Sequence, residues 1–210
     1  MNPDGSVAFF DRQFQRQVRD RDFTLNPFEL AALPHLQGRV LDFGCGLGNL
    51  AIAAAQRGCP VLALDASRAA ISHLRQRAAA ESLPVEAVEA DLRNYAIGED
   101  FDCVVSIGLL MFFDCATAFR ILSMLQARVR PGGIAVVNVL VEGTSYLDMF
   151  EPGHYCLFAR HELESRFADW NIIHSEFRDF DAPGQTGKSF ATLIARKPCP
   201  GNGRPEHRSP

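Results

Sequence analysis

The stretch Val40-Leu41-Asp42-Phe43-Gly44-Cys45-Gly46-Leu47-Gly48-Asn49 decides how this chain is read. The apolar run 39–42 has the length of a short buried strand, and the alanine-rich run 50–56 has the composition of a helix closed by Gly58. Between them stand three glycines at alternate positions. Glycine admits positive φ and lets a ligand approach the backbone, and a helix start offers unpaired N–H groups. Gly46-Leu47-Gly48-Asn49-Leu50-Ala51 also fits the dinucleotide pattern G-x-G-x-x-G/A. Asp42, however, stands before the first glycine. A carboxylate there repels a pyrophosphate and suits an ammonium group, which donates hydrogen bonds to carboxylate oxygens. No GxxxxGK[ST] segment is present, which removes a P-loop.

Outward from this loop, strand and helix patterns alternate. Residues 60–64, 85–88, 101–107 and 134–140 read as further strands. Ser67 is placed to cap a helix over 67–81, with Ala70, Ile71, Leu74 and Ala78 on its apolar face. Residues 117–129 carry Phe119, Leu122 and Leu125 at helical spacing, and Arg130-Pro131-Gly132-Gly133 reads as a turn. Strands separated by helices of this length imply βαβ units and a parallel sheet. After the unpatterned segment 141–159, a helix over 160–167 precedes two strands, 171–180 and 189–196, joined by the turn-rich loop 181–188. The sequence therefore predicts an α/β, Rossmann-like, mostly parallel sheet with helices on both faces and a C-terminal antiparallel hairpin.

Composition narrows the function classes. The chain has 210 residues, a hydrophobic fraction of 47% and a net charge of −4, which is an ordinary globular composition without a basic stripe for nucleic acid. The run Arg12, Arg16, Arg19, Arg21 is interrupted by Asp11, Asp20 and Asp22 and reads as a solvated helix face. No apolar run is long enough to span a membrane, and residues 1–12 lack the pattern of a secretory signal. Cys45, Cys59, Cys103, Cys115, Cys156 and Cys199 are scattered, with no CxxC pair. They are expected to be core or incidental thiols, with neither a disulfide framework nor a metal site, in a cytoplasmic protein.

Two further acids continue the series begun by Asp42. Asp65 ends the second strand and lies 19 positions after Gly46, the offset at which an acid reaches ribose hydroxyls. Asp91-Leu92 follows the third strand, where the carboxylate can accept from an adenine amino group and Leu92 can lie on the ring. These positions resemble those of the class I S-adenosylmethionine (SAM)-dependent methyltransferases: Asp42-Phe43-Gly44-Cys45-Gly46-Leu47-Gly48 their first motif, Asp65 their second-strand acid, Asp91-Leu92 their adenine contact, and Phe101-Asp102-Cys103-Val104-Val105-Ser106 their fourth strand. The resemblance covers residues 36–197 and implies a seven-stranded sheet of order 3-2-1-4-5-7-6. It implies SAM as cofactor, with S-adenosylhomocysteine (SAH) as product. The cofactor set so implied is Asp42, Gly44, Cys45, Gly46, Gly48, Asn49, Asp65, Ala66, Asp91, Leu92, Ile107 and Gly108. Within the superfamily, Leu110-Met111-Phe112-Phe113, Glu162-Leu163 with Phe167 and Trp170, and the closing 190–197 segment resemble the tellurite-resistance (TehB-like) methyltransferases. Where those carry an arginine pair after Glu-Leu, this chain has Glu164-Ser165, flanked by Arg160 and Arg166.

Open α/β sheets bind ligands beyond the C-terminal ends of their strands. The expected acceptor groups are therefore 108–113 and the segment 141–160, with His154, Tyr155, Arg160 and Arg166 as catalytic candidates. The expected acceptor is a small molecule, either a metalloid oxyanion such as tellurite or selenite or an organic O, N or S nucleophile, handled by a monomer or homodimer. A SAM-binding module without catalysis and an NAD-dependent oxidoreductase are the competing readings. The latter needs a catalytic set such as Tyr-x-x-x-Lys, which the chain lacks. Residues 1–28, with Phe9, Phe10, Phe14 and Val18 on one side and Asn26-Pro27-Phe28-Glu29 as the stop, read as a helical lid or extension. Residues 29–197 form the expected catalytic domain, and 198–210 a disordered tail.

Overall fold

The computed structural model describes residues 5–199, with side chains from Phe10 onward. Expectations for Phe9 and for the tail from residue 200 lie outside the described residues. Seven strands form one sheet in the order β3-β2-β1-β4-β5-β7-β6. They are β1 (Val40–Phe43), β2 (Val61–Asp65), β3 (Val85–Glu89), β4 (Phe101–Ile107), β5 (Val129–Leu140), β6 (Asn171–Ala182) and β7 (Thr186–Arg196). The first five run parallel, and β7 is antiparallel to both β5 and β6. The helices are α1 (Gly5–Asp20), α2 (Pro27–Ala32), α3 (Asn49–Gln56), α4 (Arg68–Ala80), α5 (Cys115–Ala127) and α6 (Glu162–Arg166).

Strand side chains alternate between faces, so each inner strand feeds two cores. On one face Leu41 and Phe43 of β1, Val104 of β4 and Val137 of β5 pack with Ile121, Leu122 and Leu125 of α5 and Leu163 of α6. On the other, Val40, Val61, Val105 and Val136 pack with Leu50 of α3 and with Ile71, Leu74 and Ala78 of α4. The expected apolar face of α4 is the buried one, and Ser67 caps that helix by accepting from the Ala70 N–H at 3.1 Å. A third, smaller cluster of Met111, Phe112, Leu140, Met149 and Phe150 sits beyond the strand ends, with Phe10 of α1 packed against it. The parallel sheet, both helix layers and the closing hairpin thus follow the sequence expectation.

Four local expectations need correction. Asn26 does not end the first helix. It caps α2, accepting from Phe28 and Glu29 N–H while the Glu29 carboxylate accepts from the Asn26 N–H at 2.8 Å, a reciprocal capping box. Residues 130–133 are not a separate turn before the fifth strand. They form a bulge inside β5, where the register to β4 shifts between Phe101 and Cys103. The loop expected over 181–188 narrows to residues 183–185, because β6 and β7 continue pairing as far as Ala182 and Thr186. Lys188 consequently lies on a strand.

The fourth correction concerns the cysteines. Cys45, Cys59 and Cys103 are buried free thiols as expected, but Cys115 and Cys156 form a disulfide across a separation of 41 residues. It ties the start of α5 to the segment after β5, where the Cys156 N–H donates to the Met111 carbonyl at 3.0 Å. The expectation of a reducing, cytoplasmic setting rested on unpaired thiols and loses that support. No helix among the described residues is long and apolar enough to cross a membrane.

A cross-link closing a loop of this length restricts the unfolded chain by about 2–4 kcal/mol. The double variant Cys115→Ser, Cys156→Ala is expected to lose that amount in urea unfolding, and reductant on the unaltered protein is expected to reproduce most of the loss. An unchanged midpoint in both would show that the cross-link does not constrain the chain.

Candidate functional site

The loop after β1 is held by the end of β2. The Gly44 and Cys45 N–H groups donate to the Leu64 carbonyl at 2.8 and 3.0 Å, and the Gly46 N–H donates to Asp65 Oδ2 at 2.8 Å. The other Asp65 oxygen accepts from the Ser67 N–H at 2.8 Å, so one carboxylate spans the glycine loop and the start of α4. Gly48 enters α3 with φ of 72°, and a Cβ there would meet the fully buried Leu74 at 2.5 Å. Only glycine satisfies both the backbone and the packing at that point.

This loop forms one wall of a cavity of about 420 Å³ at the C-terminal ends of β1, β2, β4 and β5. Asp42, Gly44, Cys45, Gly46 and Asn49 line it, as do Asp65, Ala66, Asp91 and Leu92, and then Ile107 and Gly108 from β4 and its exit. Eleven of the twelve cofactor positions expected from sequence therefore converge here. The twelfth, Gly48, stands behind the wall as the residue preceding α3.

Asp42 is the chemical centre of this wall. It is 5% exposed, and no hydrogen bond to its carboxylate is found among the described residues. Burial, followed by the nearby charges of Glu29 and Asp65, pushes its pKa up to about 8. A buried carboxylate in this condition either holds its proton or receives a cation. Asp65 is also raised, first by burial, although the Ser67 and Gly46 N–H bonds oppose the shift. Glu29 is raised by burial against its bond from the Asn26 N–H. Asp91 is exposed and organises its own turn, accepting from the Arg93 N–H and from Asn94 Nδ2.

The opposite wall was only partly legible in the sequence, through the aromatic side of α1 and the 108–113 segment. Phe10, Gln13, Phe14 and Gln17 of α1 face the cavity, and Phe14 lies over Gly46, 3.1 Å from where a Cβ would stand. The Ser67 hydroxyl donates to the Asp11 carboxylate, which holds α1 to the start of α4. Phe10 meets Phe112 edge-on at 4.9 Å between ring centres. Phe28, Met149, Lys188 and Phe190 complete the far end. Their signals were weak: a one-sided aromatic pattern in α1, and a lysine two residues from a phenylalanine in what reads as a loop.

The four catalytic candidates from sequence are not brought to this cavity. His154 is exposed on the segment after β5, and Tyr155 stacks on Phe150 at 4.8 Å rather than facing the space. Arg160 covers the Phe177 ring at 4.5 Å. Arg166 pairs with Glu162 at 2.7 Å and lies over Phe119 at 3.7 Å. None of the four is among the lining residues. Among the described residues no group of three or more His, Cys, Asp or Glu is placed to hold a metal ion.

Residues 40–133 match the family described as Methyltransferase domain. The chain is 30% identical over 169 residues to Hemagglutinin 1 of Eikenella corrodens, covering 76% of this chain and 55% of that protein. It is 28% identical over 166 residues to a probable SAM-dependent methyltransferase TehB of Haemophilus influenzae, covering 76% and 57%. The crystal structure of TehB from Haemophilus influenzae superposes with a TM-score of 0.73 at 21% identity, covering 86% of this chain and 65% of that one. The chain thus spans a little over half the length of these two curated relatives. Residues 40–133 thus match a methyltransferase domain, and the chain resembles TehB in sequence and in fold.

A raised carboxylate pKa fixes a sign for pH dependence. Proton uptake by buried Asp42 stabilises the ligand-free fold fully below the ordinary carboxylate range, and this contribution declines as pH rises and is lost above about 8. Asp42→Asn is expected to flatten the decline and leave the ligand-free variant more stable than the unaltered protein at pH 8–9, measured by thermal melts across pH. A variant less stable at every pH would make Asp42 a structural turn residue.

Proposed function

We propose that this chain is an enzyme that transfers the methyl group of SAM to a small-molecule acceptor bound at the apolar end of the cavity. The observation that carries this reading is Asp42: a buried, unpartnered carboxylate beside a glycine loop, with a second acid at the end of the next strand. A pyrophosphate cofactor has no use for it, whereas SAM and SAH present an ammonium group. The residues fit that ligand along its length. Asp42 would hold the amino group, Asp65 the ribose hydroxyls with its remaining lone pairs, and Asp91 with Leu92 the adenine. When bound, SAM supplies a methyl group already activated by a positive sulfonium.

The protein's own contribution is then placement and dryness. Phe10 and Phe14 of α1 cover the cavity as a lid, pinned through Asp11 and Ser67. Phe28, Phe112 and Phe190 offer an apolar surface against which an acceptor can be oriented. Holding two reactants in line can contribute roughly 7–11 kcal/mol toward the barrier in favourable cases. Tyr155 acts at one remove, supporting Phe150, which packs 4.9 Å from Phe112. His154, Arg160 and Arg166 receive no step in this reading.

The test is calorimetric titration with SAH, followed by transfer of labelled methyl from SAM to a panel containing tellurite, selenite and small organic O, N and S nucleophiles. Saturable one-to-one SAH binding with label in at least one acceptor is expected. Phe14→Ala is expected to weaken SAH by about tenfold, or ~1.4 kcal/mol. Absence of SAH binding would overturn the reading, and tight binding without transfer to any acceptor would favour a non-catalytic SAM-binding module.

A further inference from the structure

A second space, lined in part by basic residues, adjoins the cavity that Asp42 lines. A neighbouring cleft is lined by Arg12, Gln13, Arg16 and Tyr146. Gln13 belongs to both spaces, and Lys188, a wall of the cavity, stands 4.7 Å from the Tyr146 ring centre. Arg12 and Arg16 are one turn apart on α1 and so project from one side of the helix. No ion pair to Arg12, Arg16 or Lys188 is found among the described residues. Asp11, the neighbouring acid, is engaged by Ser67. Burial pushes the Lys188 ammonium down from its ordinary range, with no carboxylate opposing the shift.

Lys188 and Phe190 are two apart on β7, so both side chains leave the same face of the strand, and both reach the cavity. Phe190 packs on Phe28 at 4.9 Å, and Phe112 lines the same cavity. Cavity and adjoining cleft together set aromatic walls beside three cations, a half-buried Lys188 on the cavity and the exposed Arg12 and Arg16 on the cleft. A neutral acceptor would leave those cations unanswered. A bare inorganic oxyanion would answer them and leave the aromatic walls without a partner.

We propose that the acceptor is a small organic anion. Its apolar body, bearing the nucleophilic atom, lies among Phe28, Phe112 and Phe190, and its carboxylate or comparable anionic group reaches Arg12, Arg16 and Lys188. This rests on the methyltransferase reading above. In the transfer, a lone pair of the acceptor forms the new bond to the methyl carbon, the carbon–sulfur bond breaks with its electrons going to sulfur, and a hydroxyl or amine acceptor gives its proton to solvent.

The experiment is calorimetry on the full chain saturated with SAH, using 4-hydroxybenzoate and 4-aminobenzoate against their neutral amides, with acetate and tellurite as bare-anion controls. The acids are expected to bind at least about tenfold tighter than the amides and than either bare anion. The triple variant Arg12→Gln, Arg16→Gln, Lys188→Gln is expected to abolish the preference for acid over amide while SAH affinity is unmoved. Acids that bind no better than amides, acids that do not bind, bare anions that match them, or a preference that survives in the triple variant would each overturn the proposal. Failure of the underlying reading is distinguishable, because it would appear beforehand as absence of SAH binding.

Discussion

The hydrogen bonds from the glycine loop to the end of β2 position everything at the C-terminal edge of the sheet. Gly44 and Cys45 are tied to the Leu64 carbonyl and Gly46 to the Asp65 carboxylate, so the loop cannot move without moving the second strand. The same Asp65 holds Ser67, and Ser67 in turn caps α4 and anchors α1 through Asp11. One carboxylate thus links the loop, α4 and the covering helix α1. Gly48, pressed against Leu74, fixes where α3 starts. With those elements placed, the cavity and its acidic wall follow.

The cavity carries both signs of charge. Asp42, Asp65 and Glu29 line it, each raised by burial; Lys188 lines it too, and Arg12 and Arg16 line the adjoining cleft. Carboxylates gathered out of water raise one another and are relieved by a cation, whereas the cations are relieved by an anion. A donor that is cationic and an acceptor that is anionic would each relieve an unfavourable charge in this space. Aromatic side chains line the same space, where charge-assisted bonds are screened least.

Much of the fold was legible because it is carried by periodicity and by glycine. The strand runs around Val40, Val61, Phe101 and Ile134 and the buried face of α4 needed no tertiary information. The cavity wall around the glycine loop was legible for the same reason, since its residues sit at fixed offsets from strand ends. The opposite wall was legible only at 108–113, because Phe28, Met149, Lys188 and Phe190 come from distant segments. Lys188 reaches it only because β6 and β7 pair further than the turn residues Pro183 and Gly184 imply. Asn26 read as a stop because an Asn-Pro pair ends one helix and starts another equally well, and the capping box decides. His154 and Tyr155 had the residue types of a catalytic loop, but Phe150 fills the place between Tyr155 and Phe112. The Cys115–Cys156 pair left no trace in spacing, being made by the return of the segment after β5 over the start of α5.

The central claim is that Asp42 waits for a cation. At pH 7 a carboxyl with a pKa of about 8 is mostly protonated, and pairing with an ammonium group must expel that proton. The direct measurement is SAH binding by calorimetry at pH 7 in two buffers of different ionisation heat, which counts the protons released. The account predicts release of about one proton, falling toward zero in Asp42→Asn. Tight SAH binding with no proton release from the unaltered protein would contradict it.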